Sequence, residues 1–188
     1  SGIQLTSLMD DYIEPVLVSI QNHLDNKKIS VAEEHIARKI VSKGLGQFKL
    51  SVINTVKDNG ISVLTLNLEN DIPDLPIDMI QILLEDQGYN VHNCGSHTSI
   101  KDIKSLLSKK NYEAIFIYLC DRQCCTSTLV DNIDKTNSDL EEIVNLSKKY
   151  DIKLFLGGPS FENINQDLLK NFNLFTKYSE ALQISKIK

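Results

Sequence analysis

The chain has 188 residues, 41% of them hydrophobic and 24% charged, with a net charge of −5. That composition is globular rather than disordered, and the length suits one sizeable core or a compact domain with an appendage. The 20 basic residues are scattered, which argues against nucleic-acid binding by these residues, and no apolar run reaches the roughly 18 residues of a membrane span.

Residues 3–26 read as one helix or two, because Leu8, Tyr12, Ile13, Val16, Ile20 and Leu24 recur at helical spacing. Asp25-Asn26-Lys27-Lys28 is turn chemistry. Ser30 and Glu33 then form a capping box, in which the hydroxyl accepts from the third helical residue and the glutamate reaches back. Ile29, Ala32, Ile36 and Ile40 make an apolar stripe on the helix that follows. Gly44 and Gly46 are expected to break or kink it before a segment at about 47–57. These helices are expected to form a small bundle over residues 1–58.

After Asp58-Asn59-Gly60 the pattern changes. Ile61–Leu68 is a near-continuous apolar strand, as expected for a strand buried on both faces. A helix at about 75–88, a strand at 90–94 and a helix at 100–110 capped by Ser99 with Asp102 follow. Strand three is Ala114–Cys120. After a long polar segment, Ser138 with Glu141 is a second capping box that opens a helix to about Tyr150. Strand four is Ile152–Leu156, followed by Gly157-Gly158-Pro159. A helix at about 163–171, a strand near 173–176 and a helix at 178–186 close the chain. Alternating strands and helices predict an α/β fold over residues 59–188, a five-stranded parallel, doubly wound, Rossmann- or flavodoxin-like sheet.

Ligands on such sheets bind at the carboxyl ends of the strands. The loops predicted there hold Asn70–Pro76, Cys94-Gly95-Ser96-His97, Cys120–Cys125 and Gly157-Gly158-Pro159. All four cysteines, Cys94, Cys120, Cys124 and Cys125, therefore fall at this edge with His97. Their spacing is not that of a secreted disulfide scaffold, and a reducing cytoplasm is the expected setting. Zinc sites usually pair ligands two to four residues apart from two segments; Cys120 and Cys124 permit this but have no matching second pair. Free thiols, a metal or haem site and a redox switch stay open. Asp71 and Asp74 suit either a ligand or the cap of the next helix. Gly157-Gly158 suits a close ligand approach or a tight turn. His23 and His92 read as structural or surface residues. Glu34-His35 has no nucleophile beside it, so catalysis is not implied.

A helical section in front of this sheet resembles cobalamin-binding domains, and most closely the light- and cobalamin-sensing domains of MerR-type transcription regulators. In those regulators a tryptophan stands ten residues before a Glu-His pair, and both face the upper side of the cobalt. Here the pair is Glu34-His35, and Leu24 stands where the tryptophan would. The family's Asp-x-His-x-x-Gly supplies a lower cobalt ligand and a glycine that lets the nucleotide tail pass. The matching stretch is Asp71-Ile72-Pro73-Asp74-Leu75-Pro76, in a register supported by the interval from Pro73 to Gly95. Asp71 is kept, while the histidine and glycine are both proline, which has no metal-binding side chain and no N–H. The family's Ser-x-Leu, beside the buried base, corresponds to Tyr118-Leu119-Cys120, and its Gly-Gly to Gly157-Gly158.

The resemblance implies a ligand-sensing regulatory domain rather than an enzyme, with residues 1–58 as an upper cap. It places Leu24, Glu34, His35, Asp71, Gly95, His97, Tyr118, Cys120, Gly157 and Gly158 around the ligand. Loss of the lower histidine points to cobalamin held atypically, to another tetrapyrrole such as haem, or to a smaller molecule. The alternative is a ligand-free interaction or oligomerisation module descended from a cobalamin-binding domain; a corrinoid carrier for methyl transfer is a third reading. Self-association is expected, no membrane contact is, and DNA contact would fall outside these residues.

Overall fold

The computed structural model describes residues 3–52, 56–69, 74–119, 133–159 and 163–182, the first segment by backbone alone at 51–52. Five parallel strands form one sheet: β1 Ser62–Leu66, β2 Asn90–Asn93, β3 Ala114–Tyr118, β4 Lys153–Gly157 and β5 Asn173–Phe175. Their order is β2-β1-β3-β4-β5. The expected five-strand, doubly wound α/β fold is therefore present, and the strand order reverses between β1 and β3, where such sheets open a crevice. Every residue of β3 is buried, which is why it reads as an unbroken apolar run.

The helices before the sheet are α1 Leu5–Ser7, a π-helical turn π1 at Leu8–Ile13, α2 Glu14–Asp25 and α3 Val31–Val52. Those between and after the strands are α4 Leu75–Asp86, α5 Ile100–Leu107, α6 Ile133–Tyr150, α7 Gln166–Leu169 and α8 Tyr178–Ala181. One face of the sheet is covered by α4, α8 and the N-terminal helices, with Met9, Leu17, Leu45, Ile80, Leu84, Phe116, Phe155 and Phe175 in one cluster. The other face packs Ile115, Ile117, Leu154 and Leu156 against Ile103 and Leu107 of α5 and Leu140, Ile143 and Val144 of α6.

Several local expectations hold in detail. Glu33 accepts from the Ser30 backbone N–H at 2.8 Å, and Ser30 Oγ accepts from Glu33 N–H at 3.3 Å. Ser99 Oγ accepts from Asp102 N–H at 3.2 Å. Pro76 sits in the first turn of α4, where its missing N–H costs nothing.

Others are corrected. Residues 3–26 are helical as expected, with a π turn at Leu8–Ile13 that the periodicity does not show. Gly44 and Gly46 do not break α3, which runs through them. Each costs about 1 kcal/mol against alanine, and Leu45 between them is anchored in the core. Ile36 and Ile40 of the predicted stripe lie in solvent. Ser138 is not a cap, because α6 begins at Ile133. Its buried stripe of Thr136, Leu140, Ile143 and Ser147 carries helical spacing back past the serine.

The N-terminal helices have a defined relation to the ligand edge. α3 ends near the amino edge of the sheet: Lys49 pairs with Glu85 at 2.7 Å in the last turn of α4. Asn59, just ahead of β1, bonds Gly88 just after α4. α3 thus runs in the same sense as α4, from the carboxyl edge down. π1 and α2 climb the other way. Asp10 and Glu14 reach the start of α8, which lies at the carboxyl edge because it follows β5. From Glu14 to Asp25 a helix rises ~16 Å. The upper part of α2, the turn at Lys27 and the first turns of α3 therefore overhang the carboxyl edge of the sheet.

Candidate functional site

The overhang carries the upper candidates. Ser30 caps α3, so Glu34 and His35 fall in its first turns. Their side chains part company. Glu34 is fully buried and bonded to Arg38 one turn on, and Arg38 reaches Gln21 of α2 at 3.4 Å. Its carboxylate thus ties α2 to α3. His35 keeps about half of its side chain in solvent, with Nε2 3.7 Å from Glu34 Oε2. The two side chains stay in reach of each other, but the carboxylate is buried and only the imidazole faces solvent. Leu24 is half-buried near the top of α2. Arg38 was missed by the sequence reading, although its place four residues after Glu34 is the signal that could have found it.

The lower candidates gather at the carboxyl ends of β3, β4 and β5. In the register, Tyr118 stands opposite Gly157, and Gly157 opposite Phe175. A Cβ on Gly157 would fall inside the Phe175 ring. The glycine is needed because the two flanking rings close over it, with centroids 6.5 Å apart. Gly158 has φ +109°, and a Cβ there would run into the Leu119 carbonyl. Both glycines are thus spent on packing within the chain. Tyr118 is 5% exposed and stacks on Tyr178 at 6.0 Å, with the rings 4° from parallel. Tyr178 OH donates to Glu14 at 3.1 Å, and Asp10 accepts from the N–H groups of Tyr178 and Ser179 at 2.7 and 3.1 Å. Phe175, Tyr178, Asp10 and Glu14 were not found from sequence. Their partners lie up to about 170 residues away, and no local pattern announces that.

At the end of β2, Gly95 has φ +69° and donates to Asn93 Oδ1 at 2.7 Å. Asn93 also donates to Asp78 and Gln81, at 2.9 Å each. Burial, and then Asp74, push the Asp78 carboxyl above its ordinary range. Asp74 occupies the N-cap of α4, but its side chain makes no cap hydrogen bond. His97 is exposed with φ +65°. Cys94 is half-buried, and burial, then Asp102, push its thiol up, which leaves it a poor nucleophile. His92 accepts from Lys110 at 3.0 Å through Nε2 and bonds the Tyr112 hydroxyl at 2.7 Å through Nδ1. Asp71, Pro73, Cys120, Cys124 and Cys125 lie outside the described residues. Among the described residues, no group of three or more His, Cys, Asp or Glu stands close enough to hold a metal, and no helix is long and apolar enough to cross a membrane.

Residues 61–180 match the B12 binding domain family. The chain belongs to that family. No curated protein matches it in sequence. Among solved structures it is similar to the monomethylamine corrinoid protein of Methanosarcina barkeri, with 13% identity, a TM-score of 0.70 and coverage of 98% of this chain and 84% of that one. It is also similar to a novel cobalamin-binding protein of Desulfitobacterium hafniense DCB-2, with 13% identity, TM-score 0.54 and coverage of 97% and 93%. A third is the methanol:cobalamin methyltransferase complex of Methanosarcina barkeri, with 19% identity and TM-score 0.51. The match covers 97% of this chain but only 66% of that one. These identities carry the fold and no more.

The described residues around Gly157 do not fit the nucleotide tail of a cobalamin. The ground beside Gly157 is taken by Phe175, and the ring of Tyr118, where the resemblance places a serine, stacks on Tyr178. A close-packed slot yields to extra volume only at about 1–3 kcal/mol or more.

Proposed function

We propose that this B12-binding domain is a ligand-sensing regulatory domain of a transcription regulator, related to the MerR-type sensors, and not an enzyme. In this reading residues 1–58 form the cap, residues 59–188 the platform, and the ligand lies between them. The ligand is a flat tetrapyrrole or smaller molecule without a long tail, since the motif for the lower ligand and the tail is degenerate. The domain works as a cytoplasmic homo-oligomer, and DNA contact falls outside these acidic residues. One observation carries the reading: a half-exposed imidazole, His35, stands on a helical overhang beyond the carboxyl edge of the sheet.

The test is absorbance titration of the purified protein with haem and with cobinamide, a corrinoid lacking the nucleotide tail. A spectral shift that is lost in His35→Ala supports the reading. No shift with either ligand removes the tetrapyrrole form of the reading.

A second reading is a ligand-free interaction module. It is supported by the rings over Gly157 and by Glu34, whose carboxylate is committed to Arg38. The names of two structural neighbours suggest a third, a corrinoid partner of a methyltransferase. Proline at position 73 weighs against it, because it supplies no ligand to cobalt.

A further inference from the structure

We infer that Tyr118 and Phe175 are specificity residues. They fill the family's nucleotide slot with the chain's own side chains and bar a corrinoid from inserting a detached nucleotide tail there. This deepens the sensor reading and rests on it for the ligand class.

The inference stands on the way the slot is closed. Phe116, Phe155, Tyr118 and Phe175 line one face of the sheet, and Phe116 stacks on Phe155 at 4.3 Å. Toward the carboxyl edge, Tyr118 and Phe175 close over Gly157, where a side chain is excluded. Tyr178 then lies flat on Tyr118. This is a continuous aromatic column, not a single intruding ring.

The column is also latched from outside. Glu14 holds the Tyr178 hydroxyl, and Asp10 holds two backbone N–H groups at the start of α8. To admit a benzimidazole nucleotide, the chain would have to turn Tyr118 out, break its stack and loosen α8 from π1 and α2. A tailless ligand at the carboxyl edge requires none of this. The substitution of Tyr for Ser thus changes which ligands can enter, while the platform above it is left in place.

The experiment uses free 5,6-dimethylbenzimidazole, hydroxocobalamin and cobinamide on the whole chain. Wild-type protein should show no thermal shift with dimethylbenzimidazole. Tyr118→Ala should melt lower and recover a few degrees when it is added, because a ring-sized apolar cavity takes a flat aromatic guest. Phe175→Leu is the second variant, should Tyr118→Ala fail to fold, and it should show a smaller recovery. Hydroxocobalamin bound to wild type with the absorbance of the detached-base form would overturn the inference. So would folded Tyr118→Ala and Phe175→Leu proteins that both ignore dimethylbenzimidazole. Cobinamide separates the two claims: failure of wild type to bind it counts against a corrinoid ligand in the sensor reading, while the plugged slot is judged by the dimethylbenzimidazole arm.

Discussion

The slot beside Gly157 and the overhang of α2 and α3 are built on opposite terms. The slot is closed: Tyr118 and Phe175 are at most 5% exposed, and the glycine between them has no room for a methyl group. The overhang is open: Ile36 and Ile40 are 60% and 68% exposed, and His35 keeps half its side chain in water. In the slot, residue volume decides what can enter. On the overhang, the tie between α2 and α3 fixes the helices while His35, Ile36 and Ile40 stay in solvent. In the proposed sensor reading the ligand site therefore has two halves, one filled by the protein itself and one still presented.

The sharpest way to break this contrast is to empty the slot. Phe175→Ala should cost about 4 kcal/mol in denaturant unfolding, the usual scale for deleting a buried ring. A loss below about 1 kcal/mol would mean that the slot is not packed as described. The overhang has one comparably sensitive point. Arg38→Ala leaves the buried Glu34 carboxylate without its partner and should cost about 3 kcal/mol. Replacing both residues with leucine and methionine should recover most of that loss, because an apolar pair of similar volume avoids the cost of burying charge. If the single and double variants unfold alike, Arg38 is not what holds Glu34.

Gly157→Ala should be milder, at about 1–3 kcal/mol, because the added methyl must displace the Phe175 ring. The two sites are in contact, so their effects should not add. In a Gly157→Ala, Phe175→Ala double variant the alanine at 157 should cost much less than it does alone, as read by a double-mutant cycle. On the overhang, Ile36→Gln with Ile40→Gln should change stability by no more than about 0.5 kcal/mol, as exposed positions do. A larger loss would show that this face is covered in solution.

The same contrast explains what could be read from the chain. The strands were legible because parallel strands buried on both faces are continuous apolar runs, as Ala114–Tyr118 is. The caps at Ser30 and Ser99 were legible because both partners lie within three residues. Ser138 with Glu141 has the same letters inside a helix, and only the stripe reaching back to Ile133 tells them apart. That Tyr118 stands where the resemblance expects a serine was visible in sequence, but the ring's partners were not. Tyr178 stacks on it across 60 residues, and Glu14 latches Tyr178 from the far end of the chain. Likewise Glu34 and His35 are adjacent in sequence, yet one faces inward and the other out; helix phase and the docking of α2 decide that.

The smallest expected effect lies away from both halves, at the edge strand β2, and serves as their control. Burial, and then the Lys110 ammonium, hold the His92 imidazole below its ordinary pKa. The fold therefore favours neutral His92, whose Nε2 accepts from Lys110. Protonation must break that bond and set two cations side by side. The unfolded chain binds the proton at a higher pH than the folded one, so stability is unaffected by His92 well above pH 6.5. It declines as pH falls through that value toward the lowered folded pKa, and then levels off for this group. Chemical denaturation at a series of pH values between 5 and 8 should show this decline in wild type, and Lys110→Met should make it shallower, since burial remains. Tyr118→Phe should leave it unchanged, since the aromatic column and the His92 cluster share no partner among the described contacts. A decline that follows the column variants instead would tie β2 to the slot and break the separation of the two.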